Sequence, residues 1–145
     1  MLSYAEVEFI LAEAVERGFN VGGTAATHYN NAVTASILEW GGSGADALTY
    51  LAKPSVAYAT ATGTYKQKIG TQKWLALCNR GFDAWVELRR LDYPVIQVPN
   101  NSLSSFPVRF TYPSSEQNRN KANWSSASAA IGGDLVTTKL FWDKY

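Results

Sequence analysis

Cysteine, histidine and methionine each occur once in this chain of 145 residues. One cysteine, Cys78, excludes an intrachain disulfide and a thiolate metal cluster. One histidine, His28, leaves a zinc site without a histidine partner. It would also have to serve any Ser/His/Asp triad, and no serine near a glycine stands in a nucleophile-elbow context. No apolar run is long enough to span a bilayer. Residues 1–20 hold four glutamates and lack the basic and apolar regions of a secretory leader. Formal net charge is only +1, so nothing steers the molecule toward nucleic acid or an anionic membrane.

What is present is apolar and aromatic. The hydrophobic share is 46%, the charged share 17%, and Tyr 8 and Trp 5 stand out, which fits a folded chain. The charge is uneven. Six acids (Glu6, Glu8, Glu13, Glu16, Glu39, Asp46) face Arg17 alone within residues 1–46. The remainder is basic, which reads as two elements that meet inside one fold.

Ser3 with Glu6 three residues later makes a capping box. The helix it opens is expected to bury Val7, Ile10, Leu11 and Ala14, with Glu6, Glu13, Glu16 and Arg17 outward. Gly18 stops it. Thr24 caps a second helix, 25–40, with Tyr29, Val33, Ile37 or Ser36, and Trp40 on one side. A short glycine turn between two helices makes an αα-hairpin over 3–40, close to a tetratricopeptide repeat in length. Such a hairpin rarely stands alone. If it belongs to a longer stack, an apolar edge is expected among Val7, Leu11, Tyr29 and Val33.

Residues 46–51 suggest one or two more helical turns, and 53–63 are ambiguous. A dense amphipathic pattern then runs through Trp74, Cys78, Gly81 or Phe82, Trp85 and Leu88. Because the stripe passes through Gly81 without resetting, one long helix is expected over 65–91, with Gly81 for close packing and Cys78 buried. Arg89 and Arg90 suit its last turn, where they clamp a carboxylate or loop carbonyls. After Pro94 the chain is loop-rich to residue 145. It holds an extended segment 107–113, a polar helix from Glu116, and a helix 125–131 closed by Gly132 and Gly133. The fold class is therefore mostly α: a tetratricopeptide-like hairpin, a long helix and an irregular region 94–145. The whole reads as one domain, 1–145, or part of a larger one.

Paired carboxylates are the remaining catalytic option. The candidates are Glu87, Glu116, Asp134 and Asp143, with Asp134 better suited to binding backbone amides after its glycine pair. Trp124, Tyr93, Tyr112, Trp142 and Tyr145 suit either a sugar platform or the pinning of loops onto helices.

Taken in order, several segments resemble one family. They are Tyr4–Ala14 with its Ala12-Glu13-Ala14 ending, Tyr29-Asn30-Asn31-Ala32-Val33, Lys73-Trp74-Leu75 through Trp85-Val86-Glu87-Leu88-Arg89-Arg90 and Tyr93-Pro94, Arg109-Phe110-Thr111-Tyr112-Pro113 with Glu116, Gly132-Gly133-Asp134, and Phe141-Trp142-Asp143. The chain resembles the C-terminal portion of SusD/RagB-type starch-binding and nutrient-uptake lipoproteins of Bacteroidetes. The resemblance implies a non-catalytic protein on the extracellular face of the outer membrane. It implies an oligosaccharide or other nutrient as ligand and a TonB-dependent, SusC-like transporter as partner. It implies attachment through a lipid anchor absent from this chain, and no cofactor, catalytic residue or metal. No ligand-binding residue carries over. Two other readings stand beside it: a helical-repeat protein-interaction module that binds no sugar, and a carboxylate-based glycoside hydrolase.

Overall fold

Ser3 starts the first helix with a reciprocal cap. Its hydroxyl accepts from the Glu6 amide at 3.3 Å, and the Glu6 carboxylate accepts from the Ser3 amide at 3.0 Å. The structure is a computed structural model that describes residues 2–143. Its helices are α1 Tyr4–Glu16, α2 Ala25–Glu39, α3 Gly44–Leu51, α4 Tyr65–Ala76, α5 Gly81–Leu91, α6 Ser114–Arg119 and α7 Lys121–Ala130. No strand occurs among the described residues. The chain divides into two compact units, one ending at Pro94 and one beginning at Val95.

In the first unit α1 packs on α2 and α4, α2 on α3 and α4, and α4 on α5. Thr24 caps α2 by accepting from the Thr27 amide at 3.1 Å, and a second capping box, Ser43 with Asp46, opens α3. The core is Phe9 and Ala12 from α1, Tyr29, Ala32 and Val33 from α2, Ile69 from α4 and Leu91 from α5. Phe9 meets Tyr29 edge-on at a centroid distance of 6.3 Å, and the Tyr29 ring lies 5.0 Å from Tyr58. The buried Tyr29 hydroxyl donates to the Val56 carbonyl at 2.8 Å. That bond satisfies its one polar atom and ties the 52–63 segment, a run of turns, to the core.

The expected single helix over 65–91 is two helices. α4 stops at Ala76 and α5 starts at Gly81. Between them the Arg80 amide donates to the Leu77 carbonyl at 2.8 Å, and the Leu77 side chain is buried. The interruption of residues 77–80 is about one helical turn long, so the apolar stripe returns in phase and hides the break. Cys78 sits in this turn and is exposed, not buried. Gly81 is not a packing glycine either, because a Cβ there meets nothing within 4 Å. The close approach belongs to Gly70 on α4, where a Cβ would lie 3.1 Å from the Tyr93 carbonyl and 3.2 Å from the Leu91 Cβ.

The face of α1 is also corrected. Ala5, Phe9 and Ala12 turn inward together with Glu6, Glu8 and Glu13, all three glutamates being buried. Val7 and Ile10 remain 36% and 45% exposed, and Leu11 is half-buried. Tyr29 and Val33 are fully covered. The expected apolar edge is thus carried by α1 alone.

The second unit pairs α6 with α7. Segment 107–113 runs beside 134–138, where the Val136 carbonyl accepts from the Val108 amide at 2.8 Å. Gly132 and Gly133, at φ +85° and +120°, turn the chain from α7 toward Asp134.

Candidate functional site

Each buried glutamate of α1 meets a basic side chain. Glu6 accepts from Arg80, which also grips Asp83 at 2.7 Å. Glu8 accepts from His28 at 2.7 Å. Glu13 accepts from Arg90 at 2.6 Å and from Arg17 at 2.7 Å. Arg90 reaches on to Glu87 at 2.6 Å, and Glu87 holds the buried Lys73 at 3.1 Å. Acid and base thus alternate from Lys73 to Arg17 across α4, α5 and α1. They line a cleft of about 310 Å³ whose apolar walls are Ile10, Ala14 and Phe19.

These pairs decide the charge states. Burial pushes the Glu13 carboxyl up, but the bonds from Arg90 and the charges of Arg90 and Arg17 outweigh it and hold the group below the usual carboxylate range. Burial acts against Glu8 in the same way and is outweighed by bonds from His28, Tyr4 and Asn31. A carboxylate held ionised is a poor general acid.

A second constellation lies in the loop-rich unit. Asp134 accepts from the Arg109 guanidinium at 2.9 Å, the Tyr112 amide at 3.0 Å and the Trp124 indole at 2.9 Å. The side chains of Asp134 and Arg109 are 3% and 6% exposed. The Arg109 guanidinium also faces the Tyr112 ring at 5.1 Å. Burial works against the Asp134 charge, but the three donors keep the carboxyl below its ordinary value. Asp134 therefore binds a backbone amide, as its place after two glycines suggests.

Each of the four candidate carboxylates has partners of its own. Glu87 belongs to the first unit and is held by Lys73 and Arg90. In the second, Asp134 is the hub just described, Glu116 accepts from Asn120 at 2.9 Å, and Asp143 accepts from Lys139 at 3.1 Å. Of the candidate platform aromatics, Trp124 and Tyr112 are drawn into the Asp134 cluster and Tyr93 packs against Gly70. Trp142 is 40% exposed, and Tyr145 lies outside the described residues. Arg90 clamps carboxylates as expected, whereas Arg89 lies over the Trp85 ring at 3.7 Å. Among the described residues no cluster of three or more His, Cys, Asp or Glu is placed to hold a metal ion.

A tetratricopeptide-like hairpin braced by α4 and α5, followed in the chain by an irregular unit, defines a class of helical proteins. The chain belongs to the SusD-like family, described as starch-binding and associating with the outer membrane, which matches residues 1–113. A SusD-like structure from Bacteroidetes AC2a is 30% identical with a TM-score of 0.82, over 98% of this chain and 30% of that one. A chitin-binding protein is 36% identical with a TM-score of 0.77, over 98% of this chain and 33% of that one. A chitin-binding SusD homologue from Flavobacterium johnsoniae is 30% identical with a TM-score of 0.76, over 96% and 35%. The chain thus spans about a third of the length of these structures. No curated protein matches it.

Proposed function

We propose that this chain is part of a non-catalytic surface protein that captures an oligosaccharide for uptake. It works at the extracellular face of the outer membrane beside a TonB-dependent, SusC-like transporter. The observation that carries the reading is the family match over residues 1–113, joined to chitin-binding relatives that superpose over nearly the whole chain. Binding is favoured over hydrolysis because Glu13, Glu87 and Asp134 are all committed to cations or amide donors. The ligand class is a β-linked or α-linked glucose-type polysaccharide, with chito-oligosaccharides and starch as the first two probes.

Affinity electrophoresis through gels containing glycol chitin or soluble starch tests the ligand. Retardation by one polysaccharide is expected, with calorimetry on the matching oligosaccharide giving the constant. Equal mobility in every gel would overturn the glycan reading. It would favour a protein-interaction module instead, which the exposed Tyr4, Val7 and Ile10 on α1 equally suit. Co-purification with a SusC-like transporter tests the partner separately.

A further inference from the structure

His28 stands near the start of α2 with an oxygen at each ring nitrogen. Nδ1 lies 2.7 Å from Glu8 Oε2, and Nε2 lies 2.7 Å from the Gly22 carbonyl. A carbonyl only accepts, and so does an ionised carboxylate. Both ring nitrogens must therefore donate, which only the imidazolium does. Moving the proton onto Glu8 is disfavoured, because an ordinary carboxyl value of 4.5 lies below an ordinary imidazole value of 6.5.

The backbone of the α1–α2 connection is shaped around the ring. Gly22 and Gly23 take φ +80° and +71°. A Cβ on Gly23 would come within 2.9 Å of His28 Nε2. Two consecutive left-handed glycines let the loop close over the imidazole, a geometry side chains would obstruct. The same connection carries Phe19, a wall of the cleft that holds Arg90 and Glu13.

We infer that His28 is a proton-dependent latch: as an imidazolium it fastens the α1–α2 connection, and on losing its proton it lets that connection and the Phe19 wall loosen. Glu8 on α1 is the charged group that faces the ring, and Tyr4 on α1 and Asn31 on α2 bond to the same carboxylate. The bond to the Gly22 carbonyl, then that to Glu8, carries the imidazole above its ordinary value against the effect of burial. A raised value means that the latch is complete below the ordinary imidazole value and is lost as pH rises through the folded one. Glu8 works in the opposite sense, since its contribution is lost only as pH falls through its lowered value. The latch is therefore fastened between about pH 4.5 and 6.5 and above that up to the shifted imidazole value.

Ring resonances of His28 followed by NMR through a pH titration of the 145-residue chain, with backbone order parameters for Val21–Gly23, test this. The His28 midpoint should lie above the ordinary 6.5. Order parameters should be near the roughly 0.85 of rigid backbone below the midpoint and fall toward roughly 0.6 above it. In Glu8→Gln the midpoint should move down. In His28→Gln the loop should show no pH-dependent step. A midpoint at or below the ordinary value, a loop equally ordered on both sides, or loosening on acidification instead would each overturn the proposal. If His28→Gln does not fold, the wild-type titration and Glu8→Gln decide alone. A merely structural histidine would give no step in the loop at its own midpoint.

Discussion

Glu13 on α1 and Arg90 on α5, 77 residues apart in sequence, meet through hydrogen bonds to both carboxylate oxygens. The Glu13 side chain is 7% exposed and the guanidinium continues to Glu87. The pair locks the hairpin to α5, whose Leu91 joins the same core. Glu13→Gln leaves the size of the side chain unchanged but removes the negative charge, so that Glu87 is left as the one carboxylate bonded to Arg90. A fully buried pair broken from one side costs about 3–5 kcal/mol, and Arg90's 31% exposure lowers that to about 2 kcal/mol. Urea denaturation should show this as a lower midpoint with the slope unchanged. An unchanged midpoint would mean that the pair is only an accessory of the hydrophobic packing.

Acid should weaken the first unit. The carboxyls of Glu8 and Glu13 both sit below their ordinary 4.5, so each contributes stability above that value and loses it as pH falls through its own lowered one. Thermal melting between pH 6 and pH 3 should show a falling Tm that Glu13→Gln makes shallower. The same slope in both proteins would remove Glu13 from the effect.

The two glycines of the α4–α5 region should respond in opposite directions. Gly81→Ala adds a methyl group to open space at the start of a helix, and stability should rise by about 0.4–1 kcal/mol. Gly70→Ala gains helix propensity but presses on the Tyr93 carbonyl and Leu91. It should lose about 1 kcal/mol net. Paired chemical melts compare the two, and a stabilised Gly70→Ala would show that α4 has room to move.

Cys78 lies exposed in the turn between α4 and α5. In the native protein it should react with a thiol reagent such as Ellman's at a rate close to that of the unfolded chain. Protection by orders of magnitude would place it back in the core.

Arg109 holds Asp134 together with Tyr112 and Trp124. Arg109→Leu keeps bulk but removes the charge, leaving the carboxylate with two of these three donors. Trp124 should become more exposed to solvent, read as a red shift and stronger quenching of tryptophan fluorescence in a Trp124-only background. Arg109→Lys should restore the signal in part, since an ammonium supplies charge without the planar fork. An emission spectrum identical in Leu and wild type would detach the indole from the cluster.

The mostly helical class, both caps of the hairpin and the glycine stop after α7 are local signals, so they were legible in the sequence. Ser3 with Glu6 and Thr24 with Thr27 lie within one turn, where side chain and backbone must meet. The break at residues 77–80 was not legible, because a turn of that length preserves the helical phase. Nor was the inward face of α1. Hydropathy sends Glu6, Glu8 and Glu13 to water, and only partners at positions 28, 80 and 90 reverse that. The signal that held this information was the excess of acids before residue 46 and of bases after it. It told that two elements meet, but not which face of α1 turns to the meeting. The Asp134 cluster was half legible: its glycines pointed to amide binding, while Arg109 and Trp124 joined it from positions 25 before and 10 before in the chain.

The irregular unit gathers its loops on the buried Asp134 where another fold would have a core. Donors from residues 109, 112 and 124 return to Asp134, and the chain between and around those points runs free of regular structure apart from two short helices. Such an arrangement separates the part of a sequence that must stay from the part that can drift. Segment 95–106 sends no donor to that carboxylate, whereas 135–141 is tied back through the Val136 carbonyl, which accepts from the Val108 amide. A surface meant to suit many different ligands would gain from that freedom, because new contacts can arise on it without renegotiating how the chain is held.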